Sequence, residues 1–224
     1  MGSSDAYTRG VPNPSIETPL ATLPSSSDLG DRFVDLLAAR DRTEGPASGR
    51  PAAVLIPLFD RDNQPHIFLT KRASNLSEHP GQISLPGGRR DPDDHDITTT
   101  ALREAHEELG IPPHAVTVLG SLDDVQTYQS SFTVTPVVGV LPTRPTIVPN
   151  PKEIARVMEV SLAEILAIDE GLPANASVAE LRYPLDGEDV WGATARILRA
   201  LCALTRDAID DGTDPGACDR TSGQ

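Results

Sequence analysis

Apolar positions along this chain follow two rhythms. Ala52–Phe59 is a short apolar run bounded by Pro51 and the polar stretch Asp60–Gln64, which predicts a buried strand. His66–Lys71 predicts a second strand, paired with the first across Arg61-Asp62-Asn63. Val116–Leu122 and Val134–Leu141 predict two more, and Leu181–Pro184 and Val190–Trp191 shorter strand-like pieces. Elsewhere the spacing is helical. Phe33, Leu36 and Leu37 share one side of a segment capped by Asp28 and running to about Arg42. Leu102, Ala105 and Leu109 form the apolar face of Ile97–Leu109, which Gly110 and Pro112-Pro113 stop. Ser161–Ile168 reads as a short helix with Ser161 as cap and Glu164 three residues on. Ala193–Ile209 turns Ile197, Leu201 and Leu204 inward.

Between these elements lie a linker, Thr43–Pro51, and a long polar loop, Ala73–Gly88, of the kind that carries function in compact domains. Residues 1–27, rich in Pro, Ser and Thr, read as a disordered tail, and 210–224 as a polar one. The order of elements predicts one α/β layered domain over residues 28–209, an interior sheet covered by helices.

The chain has 224 residues and a formal net charge of −14, which repels nucleic acid backbones and anionic membranes and argues against both as partners. An anionic substrate needs local positive charge instead. No apolar run is long enough to span a bilayer, and the N-terminus shows no basic region followed by an apolar stretch. The two cysteines, Cys202 and Cys218, make neither a disulfide framework nor a zinc spacing, so a reducing cytoplasm is the expected setting.

The strongest chemical signal follows Gly87-Gly88. Glu104, Glu107 and Glu108 stand at i, i+3 and i+4 and project from neighbouring points on one helical surface. Three like charges there repel one another, and a hard divalent cation such as Mg²⁺ or Mn²⁺ removes the repulsion while leaving positions open for phosphate oxygens. Arg103 is placed to pair with Glu107 four residues on. Lys71, Arg72, Arg89 and Arg90 flank the polar loop and are candidate phosphate contacts, although Arg89 and Arg90 also serve as counterions to Asp91, Asp93 and Asp94. Asp94 and Asp96 read as a solvated turn sooner than as outer-shell contacts, His79 as a loop-shaping residue and Trp191 as a packing residue sooner than a base-stacking platform.

These residues resemble the Nudix box, G-x5-E-x7-R-E-U-x-E-E-x-G-U, with U a bulky aliphatic residue. Its second half is matched by Arg103, Glu104, Glu107, Glu108, Gly110 and Ile111. The first half departs from it. Counted from Gly88, the acidic position falls on Asp94, and eight residues instead of seven precede Arg103. A narrower resemblance, to the coenzyme A pyrophosphatase branch of Nudix hydrolases, is carried by Leu69–Ser74, His79–Gly88, Thr100–Ala105, Thr135–Gly139 and Trp191–Arg196. Ser77 and Leu85 stand where that branch usually has Arg and Phe.

The resemblance implies a mixed sheet sandwiched between helices and a metal-dependent hydrolase. The implied metal is Mg²⁺ or Mn²⁺, held by Glu104, Glu107, Glu108 and the backbone carbonyl of Gly88. Arg103 then orients a carboxylate. The general base is one of the helix carboxylates or Glu153, in the loop Asn150–Ala155; a solvated Glu153 reads equally well. Lys71, Arg72 and Arg89 are the expected substrate contacts. The implied substrate is a nucleoside diphosphate derivative, coenzyme A or an acyl derivative first; ADP-ribose, a dinucleotide or an oxidised nucleoside triphosphate are the alternatives. A non-catalytic ligand-binding module is a third reading, and a homodimer a possible assembly.

Overall fold

The computed structural model describes residues 22–76, 79–127 and 131–211. Residues 1–21 and 212–224, most of the two expected tails, lie outside them, as does Ser77. The elements run α1 (Ser26–Ala39), β1 (Arg50–Arg61), β2 (Gln64–Arg72), β3 (Ile83–Ser84), β4 (Gly87–Arg89), α2 (Ile97–Leu109), β5 (Thr117–Ser121), β6 (Val125–Gln126), β7 (Phe132–Val140), β8 (Ile154–Ser161), α3 (Leu162–Glu170), β9 (Tyr183–Leu185), β10 (Glu188–Val190) and α4 (Gly192–Asp211), with a 3-10 turn at Pro113–Ala115.

Strand β1 organises an eight-stranded mixed sheet. It pairs in parallel with β7 from Arg50↔Phe132 to Leu58↔Val140 and antiparallel with β4, Ala53 facing Gly88. Its far end turns into β2 through Asp62 and Asn63, both at positive φ (53° and 58°), a two-residue hairpin turn that suits Asp and Asn. Strand β2 then carries β3 and β8, while β5 and β6 extend the sheet beyond β7.

The period of two along β1 shows why its apolar run is unbroken. Ile56 and Leu58 point into a core shared with Leu29 and Phe33 of α1, Ile165 of α3 and Ile197 and Leu201 of α4. Leu55 and Phe59 point the other way, onto Ala101, Ala105 and Leu109 of α2. Both faces are covered, so both demand apolar residues. The expected sheet between helices is therefore present, with α2 alone on one side and α1, α3 and α4 on the other.

Several local expectations are corrected. The cap of α1 is Ser25, whose Oγ accepts from the Asp28 amide at 3.1 Å and donates to the Asp28 carboxylate at 2.8 Å; Asp28 sits in the first turn. The folded part begins before residue 28, since Leu23 is buried in the core. At the other end α4 continues to Asp211. The long loop is pinned at two points, β3 on β2 and β4 on β1. Strand β8 was not expected at all: Arg156 and Glu159 interrupt its apolar positions. Ser161 stands at the N-cap of α3, but its side chain makes no cap hydrogen bond.

Candidate active site

Helix α2 is fixed at both ends. Asp96 caps it by accepting from the Thr99 amide at 2.7 Å, and Gly110 ends it in the left-handed conformation, φ 73°. Its apolar side docks on β1, and the flank beside it, which carries Glu104 and Glu108, meets β4 and the glycine turn. Here the chains approach closely. A Cβ at Gly87 would stand 2.3 Å from the Ala53 carbonyl oxygen, and one at Gly88 would stand 2.5 Å from the Glu104 carboxyl carbon. At Gly87 the obstacle is backbone and glycine is required; at Gly88 it is the end of the Glu104 side chain, which an added Cβ would displace.

The three carboxylates differ in environment. The Glu108 side chain is 2% exposed. It accepts from the Gly87 amide at 3.1 Å and lies 3.7 Å from an Arg72 nitrogen. Burial dominates and pushes its pKa up to about 8. Glu104 is also raised, by burial first, with Arg103 opposing. Glu107 is half exposed and accepts from Arg103 at 3.0 Å.

Arg103 is the hub of the site. Its Nε and Nη2 grip both oxygens of Asp94 at 2.9 and 3.0 Å. Its Nη1 reaches Glu104 and Glu107, both at 3.0 Å, and Nη2 also donates to the Arg89 carbonyl. Asp94 is not a solvated turn residue: it is 5% exposed and also accepts from Thr100 Oγ1 and the Asp91 amide, each at 2.9 Å. The Arg103 fork holds its carboxyl well below the usual range, against the cost of burial. Because α2 is regular from Ile97 onward, the extra residue between Asp94 and Arg103 falls before the helix and leaves this pairing possible.

Glu153 reaches the same place by a different route. The turn before β8 hooks onto the end of α2, with the Asn150 amide donating to the Glu108 carbonyl at 2.9 Å. Asn150 Nδ2 donates to Glu153 Oε1 at 3.0 Å, and the Glu153 carbonyl accepts from the Ala73 amide. The side chain lies beside Glu104 and Glu108 and raises both by repulsion.

A cavity of about 780 Å³ opens here, lined by Glu104, Glu108, Glu153, Gly88, Arg72 and Arg89, among others. Arg72 lines it beside Glu108, and its buried Nε has no hydrogen-bond partner. Lys71 does not: adjacent strand residues point to opposite faces, and its ammonium pairs with Glu188 at 2.7 Å, away from the cavity lining. Arg90 is spent on the turn, donating to the Asp94 and His95 carbonyls. Trp191, expected to pack, is instead 43% exposed and lines the cavity.

Among the described residues, no three acidic, imidazole or thiol side chains are already gathered as a cation cage. Glu104 and Glu107 are both drawn to Arg103. The donor set nonetheless fits a hard cation. The buried carboxylate of Glu108, the partly buried one of Glu104, a third one turn away and the glycine strand packed against them present oxygen ligands.

A helix-covered mixed sheet with carboxylates and arginines gathered at one cavity suits a hydrolase of phosphate compounds. Residues 49–181 match the family model of the NUDIX domain, and the chain belongs to that family. It is 40% identical over 160 residues to the uncharacterized Nudix hydrolase NudL of Yersinia pestis (strain Pestoides F), covering 69% of this chain and 79% of the relative. NudL of Yersinia pseudotuberculosis matches to the same extent. A crystal structure of a NUDIX hydrolase from Alicyclobacillus acidocaldarius shares the fold with a TM-score of 0.51 at 17% identity, covering 75% of this chain and 98% of that one. The chain is thus a Nudix hydrolase, an enzyme that splits pyrophosphate linkages, and the family as a class uses divalent metal ions. Among the described residues no helix is long and apolar enough to cross a membrane.

Proposed function

We propose that the protein hydrolyses the pyrophosphate of coenzyme A or an acyl derivative in the cytoplasm, releasing a 4′-phosphopantetheine species and adenosine 3′,5′-bisphosphate. One observation carries the reading. His79, Gln82 and Leu85 of the loop segment and Trp191 and Thr194 of the α4 segment, both of which resemble the coenzyme A branch, line one cavity beside Glu104 and Glu108. Thr194 Oγ1 donates to the Ile83 carbonyl at 3.0 Å and ties the two segments together.

Glu104, Glu107, Glu108 and the Gly88 carbonyl would hold Mg²⁺ or Mn²⁺. The bound cation neutralises pyrophosphate charge and acidifies a water. Arg72 and Arg89 bind the phosphate oxygens; the unpartnered Nε of Arg72 is a donor suited to that role. Arg103 orients Glu104 and Glu107, and Asp94 holds Arg103 in turn. Glu153, positioned by Asn150, accepts the proton of the attacking water.

Mass-resolved product analysis with coenzyme A, ADP-ribose and a nucleoside triphosphate tests this, in Mg²⁺ and in Mn²⁺. The expected product is 4′-phosphopantetheine, lost in a folded Glu107→Gln variant. Cleavage of another substrate alone would overturn the coenzyme A reading. Leu85, standing where the branch usually has Phe, lines the cavity and favours a second reading: another nucleoside diphosphate derivative in the same pocket. Binding without turnover would revive the non-catalytic module.

A further inference from the structure

The cavity continues beyond the carboxylates. Its charged lining comprises Arg72, Arg89, Arg182 and Arg196 against Glu104, Glu108 and Glu153. In a chain with a net charge of −14, four arginines on one cavity supply the local positive charge that an anion needs. Arg182 and Arg196 belong to the wall formed by the β9–β10 region and α4, not to the segments that surround α2. On that wall stands Trp191, the chain's single tryptophan. A large aromatic ring left 43% exposed contributes less to the core than a buried one would. Its guanidinium neighbour is Arg182, centred 5.8 Å from the ring centroid and tied to Asp189 at 2.7 Å. The indole thus has one cationic companion and borders the cavity.

We propose that Trp191 is the platform on which the base of the nucleoside half of the substrate stacks, with Arg196 as the neighbouring cation for an anionic group on its ribose. An indole bordering a cavity offers a π-face to any base. Arg196 lines the same wall, one helical turn from the start of α4, with Nη1 anchored on the Gln126 carbonyl at 2.9 Å. The inference rests on the reading of the substrate as a nucleoside diphosphate derivative. It adds which half of that substrate lies against α4; the other half then runs toward the opposite side of the cavity.

The single tryptophan makes the test direct. Metal-free protein is titrated with adenosine 3′,5′-bisphosphate, AMP and 4′-phosphopantetheine, with tryptophan emission and calorimetry read in parallel. The two nucleotides should quench the emission saturably and 4′-phosphopantetheine should not. Trp191→Ala should weaken nucleotide binding about tenfold by calorimetry, the loss of one base stack, while Trp191→Phe retains most of it. Arg196→Ala should remove the preference for the bisphosphate over AMP. Quenching by 4′-phosphopantetheine alone, nucleotide binding with unchanged emission, or equal affinity of wild type and Trp191→Ala would each overturn the proposal. Its failure is distinct from failure of the coenzyme A reading. Coenzyme A turnover with a silent Trp191 removes only this inference. Nucleotide quenching without coenzyme A turnover removes the coenzyme A reading and the role of Arg196 with it, and leaves the stack on Trp191.

Discussion

Asp94→Asn tests the chain of contacts from a buried turn to the carboxylates. Asp94 Oδ2 accepts from Arg103 Nη2, Thr100 Oγ1 and the Asp91 amide, and Oδ1 accepts from Arg103 Nε alone. An asparagine oxygen in the Oδ2 place keeps three bonds, but its amide nitrogen then faces the Nε–H, donor against donor. One charge-assisted bond, worth about 1.5–3 kcal/mol net, is lost together with the ion pair's charge. The Arg103 side chain is 28% exposed, so water recovers part of this, and about 2 kcal/mol is the expected loss. Urea unfolding should show the midpoint falling by about 0.7–1 M for a slope of roughly 2–3 kcal/mol/M. The folded-state carboxyl is depressed below its ordinary 3.8, so its stabilisation is complete above that value and disappears as pH falls through the folded one. The gap between wild type and variant should therefore be constant at neutral pH and close only in strong acid. At neutral pH kcat should fall by about tenfold or more, because Arg103 no longer holds Glu104 and Glu107 in place. A midpoint within about 0.2 M of wild type, with kcat unchanged, would refute the reasoning.

Gly88→Ala should keep the fold but cost about 100-fold in kcat/KM, because the added Cβ meets the Glu104 carboxyl at 2.5 Å and pushes it from position; near-normal turnover would sink the assigned contact. Tyr183→Phe deletes a 2.5 Å hydrogen bond to the buried Asp169, so thermal unfolding should report a loss of about 1.5–3 kcal/mol. Burial pushes the Cys202 thiol up to about 12, so in a Cys218→Ser background it should react with a thiol reagent only as fast as the protein unfolds; rapid labelling of native protein would contradict its burial.

The elements that were legible in the sequence share a physical property: one or both of their faces are uniformly covered. Strand β1 is apolar on both sides because α2 packs on one and α1 on the other. The bounds of helix α2 were readable from its apolar face and from Gly110, whereas its cap, Asp96, reads in sequence as a solvated turn residue. Strand β8 was missed because its partner β2 supplies backbone pairing along the whole of it, which lets Arg156 and Glu159 occupy exposed or ion-paired positions. Tertiary pairing there outweighs a pattern that local reading cannot find.

The candidate site divides in the same way. Spacing alone placed Glu104, Glu107 and Glu108 on one helix surface, yet it could not rank them, because burial depends on what lies across from each. Glu108 faces the Gly87 amide and the β1–β4 region, while Glu107 faces outward to Arg103. Asp94 was misread for a related reason. A run of aspartates looks solvated until the fold brings Thr100 and Arg103 to it, and the only advance signal was an acidic residue at the box position despite the shifted spacing. Lys71 and Arg72 make the sharpest contrast: neighbours in sequence, they are separated by the alternation of β2, one bound to Glu188 and the other turned to the carboxylates. Residue type nominates a phosphate contact, but the face of the strand decides it. In this chain that decision leaves Arg72 as the arginine aligned with Glu108, where the nearest fixed positive charge is most needed.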